Sequence, residues 1–143
     1  MIVLDTHAWI WHLADPAKLS RRGQALIADE RENRGLRVSS ISVWELLMLL
    51  KKGRLEFSLS PSAFLQRAQR LSYIDCIPID NDIARVSADL PDIHEDPADR
   101  LILAAASELG CAVLSKDGRL AASGTLPVAW CSSLRDRCRP TSF

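Results

Sequence analysis

Residues 94–106, HEDPADRLILAAA, predict a buried helix whose first turn carries carboxylates. Pro97 suits the first helical position, and Asp96 before it is a good N-cap. Asp99 falls in the first turn, where the helix dipole favours negative charge. The apolar run at 101–106 leaves the helix almost no solvent-facing side, so most of it should be buried. A purely structural alternative is that both acids only satisfy free N–H groups of the helix end.

The composition is that of an ordinary globular protein. The chain has 143 residues, 48% of them hydrophobic and 25% charged, and its formal net charge is zero. We therefore expect one domain over residues 1–143, with residues 134–143 as a loosely held tail. Because the whole chain is neutral, a polyanion would have to be held by local basic patches or by a bound metal.

Two features favour the cytoplasm. The four cysteines form neither a Cys-x-x-Cys pair nor a zinc-ligand spacing, so we expect them to be reduced and mostly buried: Cys76, Cys111, Cys131 and Cys138. The N-terminus leads straight into Asp5, which leaves no room for a signal peptide. No apolar run approaches the ~20 residues that span a bilayer. The expectation is a cytoplasmic protein without a membrane partner.

Short apolar runs alternate with helical patterns along the chain. This alternation predicts an α/β fold, a three-layer α/β/α domain with a central, mostly parallel sheet of four to five strands. The expected strands lie at residues 2–4, 36–38, 74–79, 111–114 and 127–130. The expected helices lie at residues 7–13, 19–33, 43–50, 62–71 and 81–90, besides the one that follows residue 96. Gly35 is expected to close the second helix.

Four acids are expected to meet at one edge of this sheet: Asp5, Glu45, Asp99 and Asp117. Asp5 and Asp117 follow strands, whereas Glu45 and Asp99 are placed in first turns of helices. Both positions belong to the carboxyl edge of an open parallel sheet, where ligands bind. Crowded carboxylates need a cation to stay ionised. Oxygen ligands without a thiolate or imidazole cluster favour Mg²⁺ or Mn²⁺.

Each acid also has a local interpretation. Asp5 could cap the first helix, Ser42 and Glu45 match a capping box, and Asp117 followed by Gly118 is a common turn. The residues alone leave both interpretations open.

Four segments together resemble the PIN domain, and most closely the VapC toxins of bacterial toxin–antitoxin modules. They are residues 2–6 (IVLDT), 39–45 (SSISVWE), 94–100 (HEDPADR) and 114–117 (LSKD). The resemblance covers nearly the whole chain and assigns the catalytic and metal-binding roles to Asp5, Glu45, Asp99 and Asp117. It implies an Mg²⁺- or Mn²⁺-dependent endoribonuclease, with RNA as substrate, a cognate antitoxin as partner and a homodimeric state. A bound ion of this kind activates water for attack on a phosphodiester.

Supporting roles are expected around these acids. Asp96 is interpreted as a helix cap and supporting carboxylate, and Thr6 and Ser115 as hydroxyls that orient ligands or contact phosphate. Local capping and turn bonding remain the alternative for both hydroxyls. Basic residues that could meet RNA phosphates are Lys51, Lys52, Arg54 and Lys116, although a solvated face also explains the first three.

Other residues bear on assembly and on rival functions. The three histidines, His7, His12 and His94, are expected to be partly buried packing residues, because metal-activated water needs no histidine base. The helix at 43–50 is apolar on more than one side, which favours a subunit interface. A catalytically silent PIN-like scaffold is one rival. A haloacid-dehalogenase-like phosphatase is another, but it needs an Asp where this chain has His7.

Overall fold

A five-stranded sheet forms the centre of the molecule. The computed structural model describes residues 1–55, 60–91 and 96–116, and the backbone of 128–130. The strands are β1 (Ile2–Leu4), β2 (Leu36–Ser39), β3 (Ile74–Ile77), β4 (Ala112–Ser115) and β5 (Val128–Trp130). The helices are α1 (Thr6–Ala14), α2 (Arg21–Glu32), α3 (Ser40–Lys51), α4 (Pro61–Gln69), α5 (Asn81–Asp89) and α6 (Pro97–Glu108). The expected alternation of strands and helices is confirmed.

The strand order creates a switch point beside β1. The sheet runs β3-β2-β1-β4-β5, and every neighbouring pair is parallel. Strands β2 and β3 therefore extend to one side of β1, whereas β4 and β5 extend to the other. All carboxyl ends share one edge, and the order reverses between β1 and β4. In open α/β sheets ligands bind at such a crevice.

Helices cover both faces of the sheet. Leu4 and Leu114 belong to a core formed with α1, α2, α3 and α4. Val3 and Val113 point to the opposite face, where they pack with Leu103 of α6. Because neighbouring residues of one strand serve two separate cores, the architecture has three layers, α/β/α, as expected.

Gly35 closes the second helix as expected, but the left-handed conformation falls on the residue before it. The left-handed residue after α2 is Arg34, with φ of 53°, and Gly35 follows it. A Cβ at Gly35 would lie 1.8 Å from Oε2 of Glu30, whose other carboxylate oxygen pairs with the amino group of Met1 at 2.7 Å. Gly35 still takes part in closing the second helix, because its N–H donates to the carbonyl of Glu30 at 2.7 Å. The Glu30 carboxylate passes directly over the Gly35 backbone on its way to the N-terminus, so a Cβ at residue 35 would force this side chain to shift.

Helix length and the cysteines are two further features of the described residues. No helix in the described ranges is long and apolar enough to cross a bilayer. Cys111 is buried and Cys76 is exposed, so the expected burial was wrong for Cys76, which lies on an outer strand. Cys131 and Cys138, and the tail 134–143, lie outside the described residues.

Candidate active site

Asp5 lies at the switch point, directly after β1, and is only 7% exposed. Its Oδ1 accepts the N–H of Ala8 at 2.6 Å, so it caps α1. Its Oδ2 accepts the hydroxyl of Ser115 at the end of β4. The backbone N–H of Lys116 donates to the same carboxylate. The local capping role and a role at the crevice thus coexist in one side chain, and Asp5 joins the ends of two strands.

The environment of Asp5 disfavours its negative charge. Burial raises the pKa of Asp5, and the hydrogen bonds from Ser115, Ala8 and Lys116 and the nearby His7 oppose this rise. A carboxylate in such a setting is ionised most readily when a cation lies against it. The charge of Asp5 is therefore opposed by burial and supported by hydrogen-bond donors from both neighbouring segments.

Glu45 lies in the second turn of α3, not in the first. The helix begins at Ser40, and Ser39 is its N-cap, with a side chain that accepts the N–H of Ile41 at 3.4 Å. The expected helix start at residue 43 and the capping box between Ser42 and Glu45 were therefore wrong. The physical reason is that β2 passes into α3 without a loop, so capping falls to the last strand residue.

The carboxylate of Glu45 is held by side chains instead. Thr6 donates its hydroxyl to Oε2 of Glu45, and its Oγ1 lies 2.9 Å from Oγ of Ser42. Ser42 is fully buried and three residues before Glu45, so both lie on one face of α3. Sequence reasoning missed Ser42 as a site residue. The sequence did contain a sign of this role, because Ser42 lies three residues before Glu45 in a strongly apolar helix.

The acids share one electrostatic environment. Burial raises the pKa of Glu45, the hydrogen bond from Thr6 opposes this, and the negative charges of Asp96 and Asp5 raise it further. Carboxylates influence one another in this way only when they are close. Asp5 and Asp96, which come from distant segments, therefore both lie within electrostatic range of Glu45.

Helix α6 begins as the sequence predicts. Asp96 is its N-cap and accepts the N–H of Ala98 at 2.9 Å. Asp99 is half-buried in the first turn. It precedes Leu103 by one turn, and Leu103 packs against Val3 of β1. Residues four apart share a helix face, so Asp99 lies on the sheet-facing side of α6, at the carboxyl edge.

Arg100, also missed by sequence reasoning, secures the start of α6. Its guanidinium donates to backbone carbonyls at the end of α5 and just beyond it: Ser87 at 3.0 Å, Ala88 at 3.3 Å, Leu90 at 2.6 Å and Pro91 at 3.0 Å. These bonds satisfy carbonyls that a helix end leaves without partners. Arg100 thereby fixes the turn that carries Asp96 and Asp99.

The remaining predicted residues are placed as follows. Asp117 and His94 lie outside the described residues. Lys116 is exposed beside Asp5. Exposed basic residues also stand at the far end of α3: Lys51, Lys52 and Arg54. About 9 Å of helix rise separates Glu45 from Lys51, so these basic residues do not border Glu45 directly. Contact between RNA and these basic residues stays a prediction.

The histidines differ in environment. His12 is half-buried, and its Nε2 lies 3.2 Å from the hydroxyl of Tyr73, as expected of a packing residue. His7 is exposed, so the expected burial was wrong for it. Its ring lies 5.7 Å from that of Trp11, one turn further along α1.

The chemical type of the donor atoms suits a hard divalent cation. Asp5, Glu45 and Asp96 offer carboxylate oxygens, and Thr6 and Ser115 add hydroxyls. Such all-oxygen sets suit Mg²⁺ or Mn²⁺ rather than zinc. Among the side chains that the structure describes, no three His, Cys, Asp or Glu are close enough to hold an ion. The predicted fourth acid, Asp117, lies outside that part of the chain.

Comparisons with known proteins agree with this arrangement. The PIN domain family matches residues 2–124. Ribonuclease VapC22 of Mycobacterium tuberculosis (strain ATCC 25618 / H37Rv) is 33% identical over 120 residues, which are 83% of this chain and 88% of that protein. The family match argues against the phosphatase alternative.

Two solved structures share the fold. A chain of DNA-bound VapBC from Salmonella typhimurium superimposes with a TM-score of 0.67 at 18% identity, covering 90% of this chain and 96% of that one. A chain of VapBC2 from Rickettsia felis, bound to a DNA fragment from their promoter, gives 0.66 at 16% identity, covering 91% and 98%. At these identities the likeness concerns the fold alone. The family match and the relationship to VapC22 establish that this chain belongs to the PIN-domain family and is a homologue of a VapC ribonuclease.

Proposed function

We propose that this chain is a VapC-type endoribonuclease, the toxin of a toxin–antitoxin pair, which hydrolyses RNA phosphodiester bonds with Mg²⁺ or Mn²⁺. One observation carries the proposal. Asp5 is a buried carboxylate at the switch point, and its negative charge and that of Asp96 both raise the pKa of Glu45. Like charges around a buried carboxylate at a ligand-binding crevice are typical of a cation site. The 33% identity to Ribonuclease VapC22 supports the reaction class.

The proposed cation ligands are Asp5, Glu45, Asp99 and Asp117. When bound, the cation supplies an activated water and offsets negative charge at the phosphodiester. No histidine base is required for this chemistry. The exposed position of His7 is therefore compatible with the proposal without giving it a catalytic role.

Thr6 and Ser115 position the carboxylates. Each donates a hydroxyl proton to one oxygen, Thr6 to Glu45 and Ser115 to Asp5. A carboxylate oxygen has more than one acceptor site, so these bonds leave capacity for a cation on the same group. They also restrict the rotation of both side chains, which preorganises the ligands before a substrate arrives.

We also propose a cognate antitoxin as partner. The structural neighbours from Salmonella and Rickettsia are VapBC complexes. An acidic edge of this kind suits an arginine of the partner, which would compete with the cation by charge-assisted hydrogen bonds to the carboxylates. In this scheme the antitoxin inhibits cleavage by occupying the site itself.

The test of the nuclease is cleavage of single-stranded RNA with Mg²⁺ or Mn²⁺ by the parent chain and by Asp99→Asn. We expect the variant to lose more than about 100-fold in rate, because a cation ligand matters more than the supporting groups whose loss costs ~10–100-fold. The matched control is Asp82→Asn. Asp82 also lies in the first turn of a helix, but it is on α5 and 74% exposed.

Circular dichroism would establish that both variants are folded. Equal cleavage by the parent and Asp99→Asn would reject the assigned site, and a parent without any cleavage would favour the silent scaffold. Loss of activity in Asp82→Asn as well would point to a general effect of charge.

A further inference from the structure

An aromatic and basic cluster lies next to the acids. The ring of Trp11 is 5.7 Å from that of His7, and the two planes are tilted by 59°. Nζ of Lys116 lies 4.9 Å from the centroid of the Trp11 ring. His7 and Lys116 are exposed, and Trp11 is half-buried. The three side chains thus present a ring, an imidazole and an ammonium to solvent at one place.

The cluster is tied directly to Asp5. The backbone N–H of Lys116 donates to Asp5, and the preceding residue, Ser115, donates its hydroxyl to the same carboxylate. His7 follows Asp5 by two residues, and its charge acts on both Asp5 and Glu45. Helical side chains lean toward the N-terminus, so the Trp11 ring leans toward the carboxyl edge. The cluster therefore borders the proposed cleavage site.

Packing accounts for only part of this arrangement. Trp11 packs against the core beneath α1, which explains its buried side. Core packing does not require an exposed histidine on one flank and a lysine over the ring. An aromatic face combined with a cation is instead the usual means of holding single-stranded nucleic acid, in which bases stack and phosphates pair with positive charge.

We propose that Trp11, flanked by His7 and Lys116, is a nucleobase-stacking subsite for single-stranded RNA beside the acidic edge. The inference rests on the proposed function and deepens it by naming where a base next to the cleaved phosphate is held. A base stacks on the ring, and the Lys116 ammonium leaves the ring for a backbone phosphate. Because the chain has no net charge, such a local contact is needed to hold a polyanion.

The chain contains a chemically matched cluster elsewhere. Cζ of Arg31 lies 4.3 Å from the centroid of the Tyr73 ring, and Nε2 of His12 lies 3.2 Å from the Tyr73 hydroxyl. Tyr73 directly precedes β3, so this second cluster lies at the amino edge of the sheet. It combines the same kinds of groups without the acids. Tyr73→Ala is therefore the control for a general loss of aromatic surface.

The experiment measures binding of a fluorescent 12-nucleotide oligoadenylate by anisotropy, with Mg²⁺ present. The full chain carries Asp99→Asn to suppress cleavage, and Trp11→Ala, Trp11→Phe or Tyr73→Ala is added. We expect Trp11→Ala to weaken binding about 5- to 150-fold, the range that loss of one stacked base gives. Trp11→Phe should retain most of the affinity, and Tyr73→Ala should change it less than about twofold.

Two further measurements identify the contacts. Replacing one adenosine at a time by an abasic nucleotide should weaken binding at a particular position for the Trp11 protein, and at none for Trp11→Ala. Lys116→Met keeps the length of the side chain but removes its charge. This substitution should make the negative slope of log K against log salt shallower by about 0.7, the contribution of one phosphate contact in a single strand.

The outcomes separate the two proposals. If the parent cleaves RNA but Trp11→Ala binds within about twofold of the Trp11 protein, the subsite is rejected and the nuclease stands. If the parent neither binds nor cleaves RNA, both are rejected. Equal losses in Trp11→Ala and Tyr73→Ala reject the subsite too. If Trp11→Ala does not fold, two measurements test the subsite in its place. They are the abasic series with Trp11→Phe and the salt dependence of binding by Lys116→Met.

Discussion

The hydroxyl of Thr6 has two neighbours, Glu45 and Ser42, but only one proton. When Glu45 is ionised the proton goes to its carboxylate, and the contact with Ser42 is then satisfied by the Ser42 hydroxyl. Ser115 donates to Asp5 in the same way. At the scale of the residue, the site is therefore a pair of carboxylates, each held by a hydroxyl donor from another segment. Donors of this kind favour the ionised form against the effect of burial.

The first prediction concerns Asp5 in the cation-free protein. Burial raises the pKa of Asp5 above its ordinary value of 3.8, so the folded state binds this proton more tightly than the unfolded state. The resulting stability is present in full below about pH 3.8 and is lost as the pH rises through the raised pKa. Asp5→Asn should therefore increase the free energy of unfolding at pH 7 in EDTA, while abolishing cleavage.

Urea unfolding across about pH 4 to 8 measures this effect as the difference between the two proteins. Asn can still accept the Ala8 N–H, because it is as good an N-cap as Asp. Asp82→Asn is again the control, since Asp82 is exposed. A lower stability of Asp5→Asn than of the parent at pH 7 in EDTA would contradict the argument.

At the scale of the element, the start of α6 decides where two acids lie. The N-cap Asp96 and the proline after it define the first turn from inside the helix. Arg100 defines it from outside, through the carbonyls at the end of α5. The apolar residues that follow bury α6 against β1 and β4, with Leu103 and Ala106 in the core. The helix end that carries Asp99 is thus fixed on three sides.

The second prediction is that Arg100→Lys lowers the free energy of unfolding by about 1–3 kcal/mol, because lysine cannot reproduce a planar fork of charge-assisted bonds. Cleavage should fall as well, since the turn that carries Asp99 loses its anchor. Thermal and urea unfolding, together with the RNA assay, measure both effects.

The matched control for this substitution is Arg85→Lys. Arg85 lies on α5, where its ion pairs with Asp82 and Asp89 are exposed and 3.9 Å long. Such pairs contribute ~0–1 kcal/mol, so little change is expected. Equal stability of the parent and Arg100→Lys would show that the bonds to α5 do not hold α6.

At the scale of the whole molecule, one side of α3 packs in the core and another side is exposed. Leu46 is fully buried in the core, whereas Trp44 is 56% and Leu47 is 41% exposed. Residues three apart share a helix face, so these two form an exposed apolar strip. Exposed apolar surface of this kind is typical of an interface. The strip supports the homodimer implied by the resemblance, which stays a prediction.

The third prediction is that the chain is a dimer in solution and that Leu47→Glu makes it monomeric. Burying an unpaired carboxylate should raise the dimer Kd by at least about 100-fold, equivalent to ~3 kcal/mol. Light scattering coupled to size exclusion measures the mass. The control is Leu109→Glu, since Leu109 is 39% exposed but follows α6. A monomeric parent, or a dimeric Leu47→Glu, would contradict the prediction.

Local chemistry made much of the fold predictable. The caps at Asp5 and Asp96 follow from short-range rules, as do the buried strand β1 and the apolar helix α6. The same rules placed both Asp5 and Asp99 at the carboxyl edge. The predicted start of α3 was wrong, because residues 39–42 (SSIS) contain several serines that could each cap the helix. Which serine is the cap depends on where β2 ends.

The amino-acid sequence by itself determined that Asp5 follows a strand and that Asp96 and Asp99 begin a helix, because strand ends and caps depend on neighbours within about one helical turn. Only the tertiary structure decided what those acids touch. Thr6 and Glu45 are 39 residues apart and Ser115 and Asp5 are 110 apart, and Lys116 meets Trp11 across two elements. Such contacts depend on the order and register of the strands, which no local preference specifies.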